Sequence, residues 1–98
     1  MEYRLIFSDE ALKDAIKLKR AKLDDKAKEL LKTIKENPYQ NPPYYEKLTN
    51  NLHGKYTRRI NIKHRIVYEV INVYYSAKNN SVKEEKIVKI YRMWTHYE

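Results

Sequence analysis

The hydrophobic period of this chain turns from helical to alternating at Asn37-Pro38, and that change limits the folds open to it. Ahead of the break, past a short first segment, the apolar residues recur at helical spacing. Met1 to Phe7 is strand-like, with Tyr3, Leu5 and Phe7 on one side. Ser8-Asp9-Glu10 then reads as a helix start, Ser8 capping and the two acids favouring the positive end of the helix. Ala11, Leu12, Ala15 and Ile16 form a narrow apolar stripe. After an interruption from Lys22 to Asp25, Leu23, Ala27, Leu30, Leu31 and Ile34 mark a second amphipathic helix. Asn37-Pro38 ends it, because proline disfavours helical geometry in the residue before it. Tyr39 to Asn51 is a loop carrying Pro42-Pro43 and Tyr44-Tyr45. Beyond it the period is two. Tyr56, Arg58, Ile60 and Ile62 fall on one side of a strand, and Lys55, Thr57, Arg59 and Asn61 on the other. Arg65 to Tyr75, rich in branched and aromatic residues, reads as a central strand apolar on both faces. Ser76 to Glu85 is a polar hairpin loop, and Lys86 to Trp94 the last strand. The order βααβββ predicts an α+β fold: an N-terminal strand and a helical hairpin on one face of a mainly antiparallel four-stranded sheet.

A chain of 98 residues makes one domain, residues 1–98, and buries only about 60–65% of the surface its unfolded form exposes. With no cysteine there is no disulfide framework, zinc ribbon or thiol nucleophile, which suits a reducing cytoplasm. No apolar run approaches the ~20 residues of a membrane span, so a cytoplasmic protein without membrane contact is expected. The net charge of +8 points to an anionic partner. Most lysines merely solvate the helices. The sharper signal is Lys55 to Arg65, which holds Lys55, Arg58, Arg59, Lys63 and Arg65 and no acid.

Cleaving a phosphodiester without a metal requires a base, an acid and fixed positive charge around the pentavalent phosphorus. Alone, Glu46 beside Lys47 is a solvated surface carboxylate; beside this basic run it is a candidate general base for a ribose 2′-hydroxyl. His96, near the C-terminus, is a candidate general acid, with an unperturbed pKa of about 6.5. A tight turn around Ile62 would set Arg59 and Arg65 directly opposite one another, which is unfavourable unless an anion lies between them or Glu69 serves as an internal partner for one. Arg58 points to the other face, toward the helices or solvent. Lys55 and Lys63 add phosphate contacts, and Tyr44, Tyr45 and Tyr97 are the tyrosines placed to stack on bases. Gly54, the only glycine, admits a backbone conformation closed to other residues. His53, His64 and His96 lack the companions of a metal site, so neither a metal nor another cofactor is expected.

Taken together, Asn37-Pro38, Glu46-Lys47-Leu48, Asn51-Leu52, Gly54, Tyr56-Thr57-Arg58-Arg59-Ile60, His64-Arg65-Ile66-Val67-Tyr68, Arg92 and His96-Tyr97 resemble the YoeB/Txe group of toxin–antitoxin ribonucleases, within the RelE/ParE superfamily. The resemblance implies a RelE-like toxin that cleaves mRNA in the ribosomal A site and inhibits translation. In it Glu46 is the base, His96 the acid and Arg65 the stabiliser of the transition state, while Arg59 contacts the phosphate and Tyr97 positions the RNA. It also implies a cognate antitoxin of the YefM/Axe kind, and operator DNA contacted only through the antitoxin complex. The sequence departs from the group at Thr49, where a basic residue is common, in the length of the segment Ser76 to Glu85, and in having Glu98 after Tyr97. Two other functions compete: a ParE-like inhibitor of DNA gyrase, which lacks the acid–base pair, and a basic module that holds RNA without cutting it.

Overall fold

The computed structural model describes residues 2–49 and 54–94. Helices α1 (Asp9–Arg20) and α2 (Asp24–Glu36) pack on one face of a five-stranded sheet. Its strands are β1 (Arg4–Phe7), β2 (Glu46–Lys47), β3 (Lys55–Arg59), β4 (Arg65–Ser76) and β5 (Val82–Arg92), in the spatial order β1-β5-β4-β3-β2. Neighbours are antiparallel except β1, which runs parallel to β5. The α+β class and the helix-covered face agree with the sequence; the count of four strands does not. Glu46–Lys47, read as loop, is a short edge strand, with Glu46 opposite Thr57 and Lys47 opposite Tyr56. Two residues are too few to show an alternation.

Ser8 caps α1 as its position predicts. Its Oγ accepts from the Ala11 N–H at 3.0 Å and donates to the Tyr91 carbonyl at 2.7 Å, tying the helix start to β5. The stripe on α1 is turned from the one expected. Ala11, Asp14 and Leu18 are buried, while Leu12 and Ile16 stay more than half exposed. Asp14 accounts for this: its carboxylate accepts from Arg92 Nε (2.8 Å), Arg92 Nη2 (3.2 Å) and the Met93 N–H (2.9 Å), so an acid takes a place in the apolar stripe. That hydrogen bond holds the Arg92 pKa above its ordinary value. On α2 the expected set holds: Ala27, Leu30 and Ile34 are buried, with Leu23 and Leu31 beside them. Lys22, at φ 61°, makes the turn between the helices, and Asn37 leaves α2 in extended backbone.

Leu5 and Phe7 of β1 pair with Val88 and Ile90 of β5, and Ile66, Tyr68 and Val70 of β4 share their face, forming the core with the helices. The opposite face carries Glu46, Thr57, Arg59, Arg65, Val67 and Glu69. No helix among the described residues is long and apolar enough to cross a membrane.

Ser76 to Glu85 is not a loop. β4 and β5 stay paired out to Ser76 and Val82, and only Ala77 to Ser81 turns, with Asn79 and Asn80 at positive φ. β3 reaches no further along β4 than Glu69, and β1 no further along β5 than Ile87, so the hairpin projects as a two-stranded arm. Because solvent reaches this arm, Val73, Tyr74, Tyr75 and Val82 remain exposed and the strand lacks the apolar-in, polar-out signature of a half-buried one.

Candidate active site

The site is built on the open sheet face around one turn. Between β3 and β4 the Ile60 N–H donates to the His64 carbonyl at 2.8 Å. The Asn61 side-chain oxygen accepts the N–H groups of Lys63 (2.8 Å) and His64 (2.7 Å). Asparagine does this readily because its short carboxamide mimics a backbone turn. The tight turn sets the register, and Arg59 lies directly opposite Arg65. Ile62 is at its exposed tip.

Glu46 reaches the same face from β2. Its Oε1 lies 3.9 Å from Arg65 Nη1, with the carboxylate about half exposed and Arg65 largely covered. At that length and exposure the ion pair adds little to stability. The arrangement puts one solvent-facing carboxylate beside Arg65, with Arg59 directly opposite Arg65 in the sheet. Such a face attracts an anion, and the carboxylate can take a proton from a group held against it.

Arg65 is fixed from behind. Its N–H donates to the Trp94 carbonyl at 3.1 Å, and the Trp94 ring stacks on His64 at 3.8 Å. His64 is buried, and burial first, then the charge of Lys63, lowers its pKa. It is a packing residue. His96 and Tyr97, two and three positions beyond Trp94, lie outside the described residues, as do Asn51, Leu52, His53 and Glu98.

The remaining candidates spread over two faces. Lys55 shares the face of Arg59 and holds its ammonium 4.8 Å from the centre of the Tyr91 ring. Lys63 is exposed in the turn, and Tyr44 is exposed in the loop before β2. Tyr45 is directed to the helix-covered face: it meets Tyr56 edge-on at 5.7 Å and lies 5.0 Å from the Arg58 guanidinium. Arg58, on that same face, is 1% exposed. Its Nε donates to the Tyr68 hydroxyl (3.1 Å), Nη1 to the Pro43 carbonyl (2.7 Å) and Nη2 to the carbonyls of Pro38 (3.0 Å) and Gln40 (2.8 Å). It therefore binds neither helix side chains nor solvent. Instead it ties the loop that leads into β2 to the sheet. Tyr68, pushed up to about 12 by burial against the pull of Arg58, donates its proton to the Pro38 carbonyl at 2.8 Å. Gly54 has φ +89°, and that angle, rather than any close contact, demands glycine there.

Two residues of the open face, Tyr91 and Lys89, carry no role on sequence grounds; they flank Glu69, a possible partner there for one of the opposed arginines. Tyr91 donates to Glu69 at 2.6 Å, and Lys89 flanks its ring at 5.0 Å, opposite Glu69 in the sheet. Burial and Glu69 push the Tyr91 phenol up to about 12. The β3–β4 register sets Glu69 opposite Lys55, and the β4–β5 register, absent from sequence, brings Lys89 and Tyr91 to the same face. An apolar groove of about 420 Å³ between α1 and α2, lined by Leu12, Ile16 and Leu31 among others, lies on the helical side of the sheet, away from Glu46.

A family model described as the YoeB-like toxin of bacterial type II toxin–antitoxin systems matches residues 7–97. Among solved structures, a chain of the YoeB–YefM complex from Staphylococcus aureus is 33% identical, with a TM-score of 0.71 over 99% of this chain and 100% of that one. A chain of the Staphylococcus aureus YoeB dimer is 31% identical, with a TM-score of 0.68 over the same shares. A YoeB/ParE toxin from Agrobacterium tumefaciens shares the fold at 24% identity and a TM-score of 0.75, over 96% of this chain and 99% of that one. No curated protein matches.

Proposed function

Because the chain belongs to the YoeB-like toxins of bacterial type II toxin–antitoxin systems, we propose that it is an endoribonuclease that cleaves mRNA on the ribosome and so arrests translation. The observation that carries this reading is the open face itself: an exposed carboxylate, Glu46, beside the opposed pair Arg59 and Arg65. In the proposed reaction Glu46 removes the proton of a ribose 2′-hydroxyl. The freed oxygen attacks the adjacent phosphorus, and Arg65 stabilises the charge that builds on the phosphoryl oxygens. The bond to the 5′-oxygen breaks as His96 returns a proton to it. The products are a 2′,3′-cyclic phosphate and a 5′-hydroxyl. Arg59, Lys55 and Lys63 hold neighbouring phosphates, and Tyr97 and Tyr44 position bases. Tyr45, turned to the other face, has no place in this scheme.

The Staphylococcus aureus relative in complex with YefM supports a cognate antitoxin for this chain as well, with operator DNA engaged through that complex and the cytoplasm as the setting. An antitoxin segment that covers the open face neutralises the toxin by occupying the phosphate positions.

Binding to RNA tests the phosphate contacts. For single strands, log K falls against log salt with a slope of roughly −0.7 per phosphate neutralised. Titrating a single-stranded RNA against the Glu46→Gln protein, in which the RNA survives, should give a steep slope. Adding Arg59→Ala should flatten it by about 0.7. An unchanged slope would place Arg59 outside the interface.

A further inference from the structure

Thr57 is 2% exposed, and its hydroxyl has no hydrogen-bond partner, the one such buried side-chain atom among the described residues. A buried hydroxyl without a partner is costly, so a fold that keeps one invites an explanation in function. Its place supplies one. Thr57 sits at the centre of the open face, opposite Glu46 on β2 and Val67 on β4, and on the same face as Arg59. Side chains directly opposite in an antiparallel pair have Cβ atoms about 4.5–5.5 Å apart, within reach of a three-torsion glutamate. Glu46 instead leans toward Arg65, at 3.9 Å.

We propose that Thr57 is a positioning residue for Glu46: when Arg65 turns to the phosphate of bound RNA, the Glu46 carboxylate moves onto the Thr57 hydroxyl and accepts its hydrogen bond. This rests on the nuclease reading above. A base that loses its ion pair at the moment of reaction would otherwise swing freely. A hydroxyl fixed on the central part of the sheet holds one carboxylate oxygen and leaves the other to face the 2′-hydroxyl. A threonine serves because it has a donor and a stiff χ1.

The test compares Thr57→Val, which keeps the shape and removes the hydroxyl, with Thr57→Ser, which keeps the hydroxyl. Cleavage of mRNA on programmed ribosomes is measured at varied ribosome concentration, alongside thermal melting. A hydrogen bond to a charged group predicts a fall in kcat of about tenfold to a hundredfold for valine. KM should stay within about twofold and the melting temperature should not drop, since valine buries no unpartnered hydroxyl. Serine should recover most of kcat. If valine matches the active wild type, or serine is as poor as valine, the hydroxyl has no role and the proposal fails. A wild-type chain that leaves mRNA whole overturns the nuclease reading, and this proposal with it.

Discussion

Glutamine at position 46 should lower mRNA cleavage by about 10²–10⁴-fold while leaving the fold and the affinity for RNA intact. The side chain keeps its size on an edge strand and is about half exposed, so its exchange disturbs no packing. What disappears is the capacity to take a proton. Arg65→Ala should be of similar severity, about 10²–10³-fold, because it removes charge aimed at the transition state rather than at the bound substrate. Lysine at 65 should recover only part, lacking the planar fork that meets two phosphate oxygens at once. Stability separates these effects from misfolding. Arg65 faces Arg59 across the strands and lies 3.9 Å from Glu46, so its removal relieves like-charge repulsion while losing one weak ion pair, and the alanine protein should stay folded. Single-turnover cleavage with parallel melting curves checks both points. A Glu46→Gln protein that cuts at the wild-type rate would assign proton removal to another group.

Arg58→Ala should do the reverse, costing about 3–5 kcal/mol of stability, the scale of breaking a buried charged network. The guanidinium serves the carbonyls of Pro38, Gln40 and Pro43 and the hydroxyl of Tyr68, all from a fully buried position. Alanine leaves a cavity and takes this donor from the Gln40 and Pro43 carbonyls, while Pro38 keeps only the Tyr68 hydroxyl of its two. At roughly 4–8 °C per kcal/mol for a domain of this size, the melting point should fall by at least about 12 °C. Lysine should recover a minor share, since one ammonium cannot span acceptors spread along the loop from Pro38 to Pro43. Calorimetry or circular dichroism reads the outcome. If the alanine protein melts near the wild type yet no longer cleaves RNA, Arg58 belongs to the reacting face and the division of β3 between its two faces is wrong.

Adjacent arginines on opposite faces show what a strand's alternation can and cannot reveal. The period-two pattern from Lys55 onward separates Arg58 from Arg59, and the turn at Asn61 brings Arg59 opposite Arg65; both are visible in the residues. The burial of Arg58 is not. A strand of period two predicts a face, but the carbonyls that hold Arg58 come from a loop whose path no local pattern encodes. Glu46 was legible as a carboxylate near a basic run but not as part of an edge strand, since β2 has only two residues. The projecting arm escaped for a different reason. With Asn72, Ser76, Lys83 and Glu84 among exposed apolar residues, its pairing rests on backbone hydrogen bonds rather than on one buried face. The stripe on α1 was misjudged at Asp14, because a buried acid is stable only with the distant Arg92 and the Met93 N–H beside it. Thr57 could be placed on the right face from sequence, but its unpartnered hydroxyl exists only once the sheet has closed around it.

If Glu46 and the opposed arginines drive attack by the RNA's own 2′-hydroxyl, the ends of the cut mRNA record it directly. Purified chain is added to ribosomes stalled on a defined message, and the termini of the fragments are identified by their response to a 5′-kinase and to a 3′-phosphatase. The expected ends are a 5′-hydroxyl, open to the kinase at once, and a 2′,3′-cyclic or 3′-phosphate on the upstream fragment. Substituting 2′-deoxyribose at the cut site should abolish cleavage. A 5′-phosphate with a free 3′-hydroxyl, or cleavage that survives the deoxy substitution, would mean that water is the nucleophile and would contradict attack by the 2′-hydroxyl.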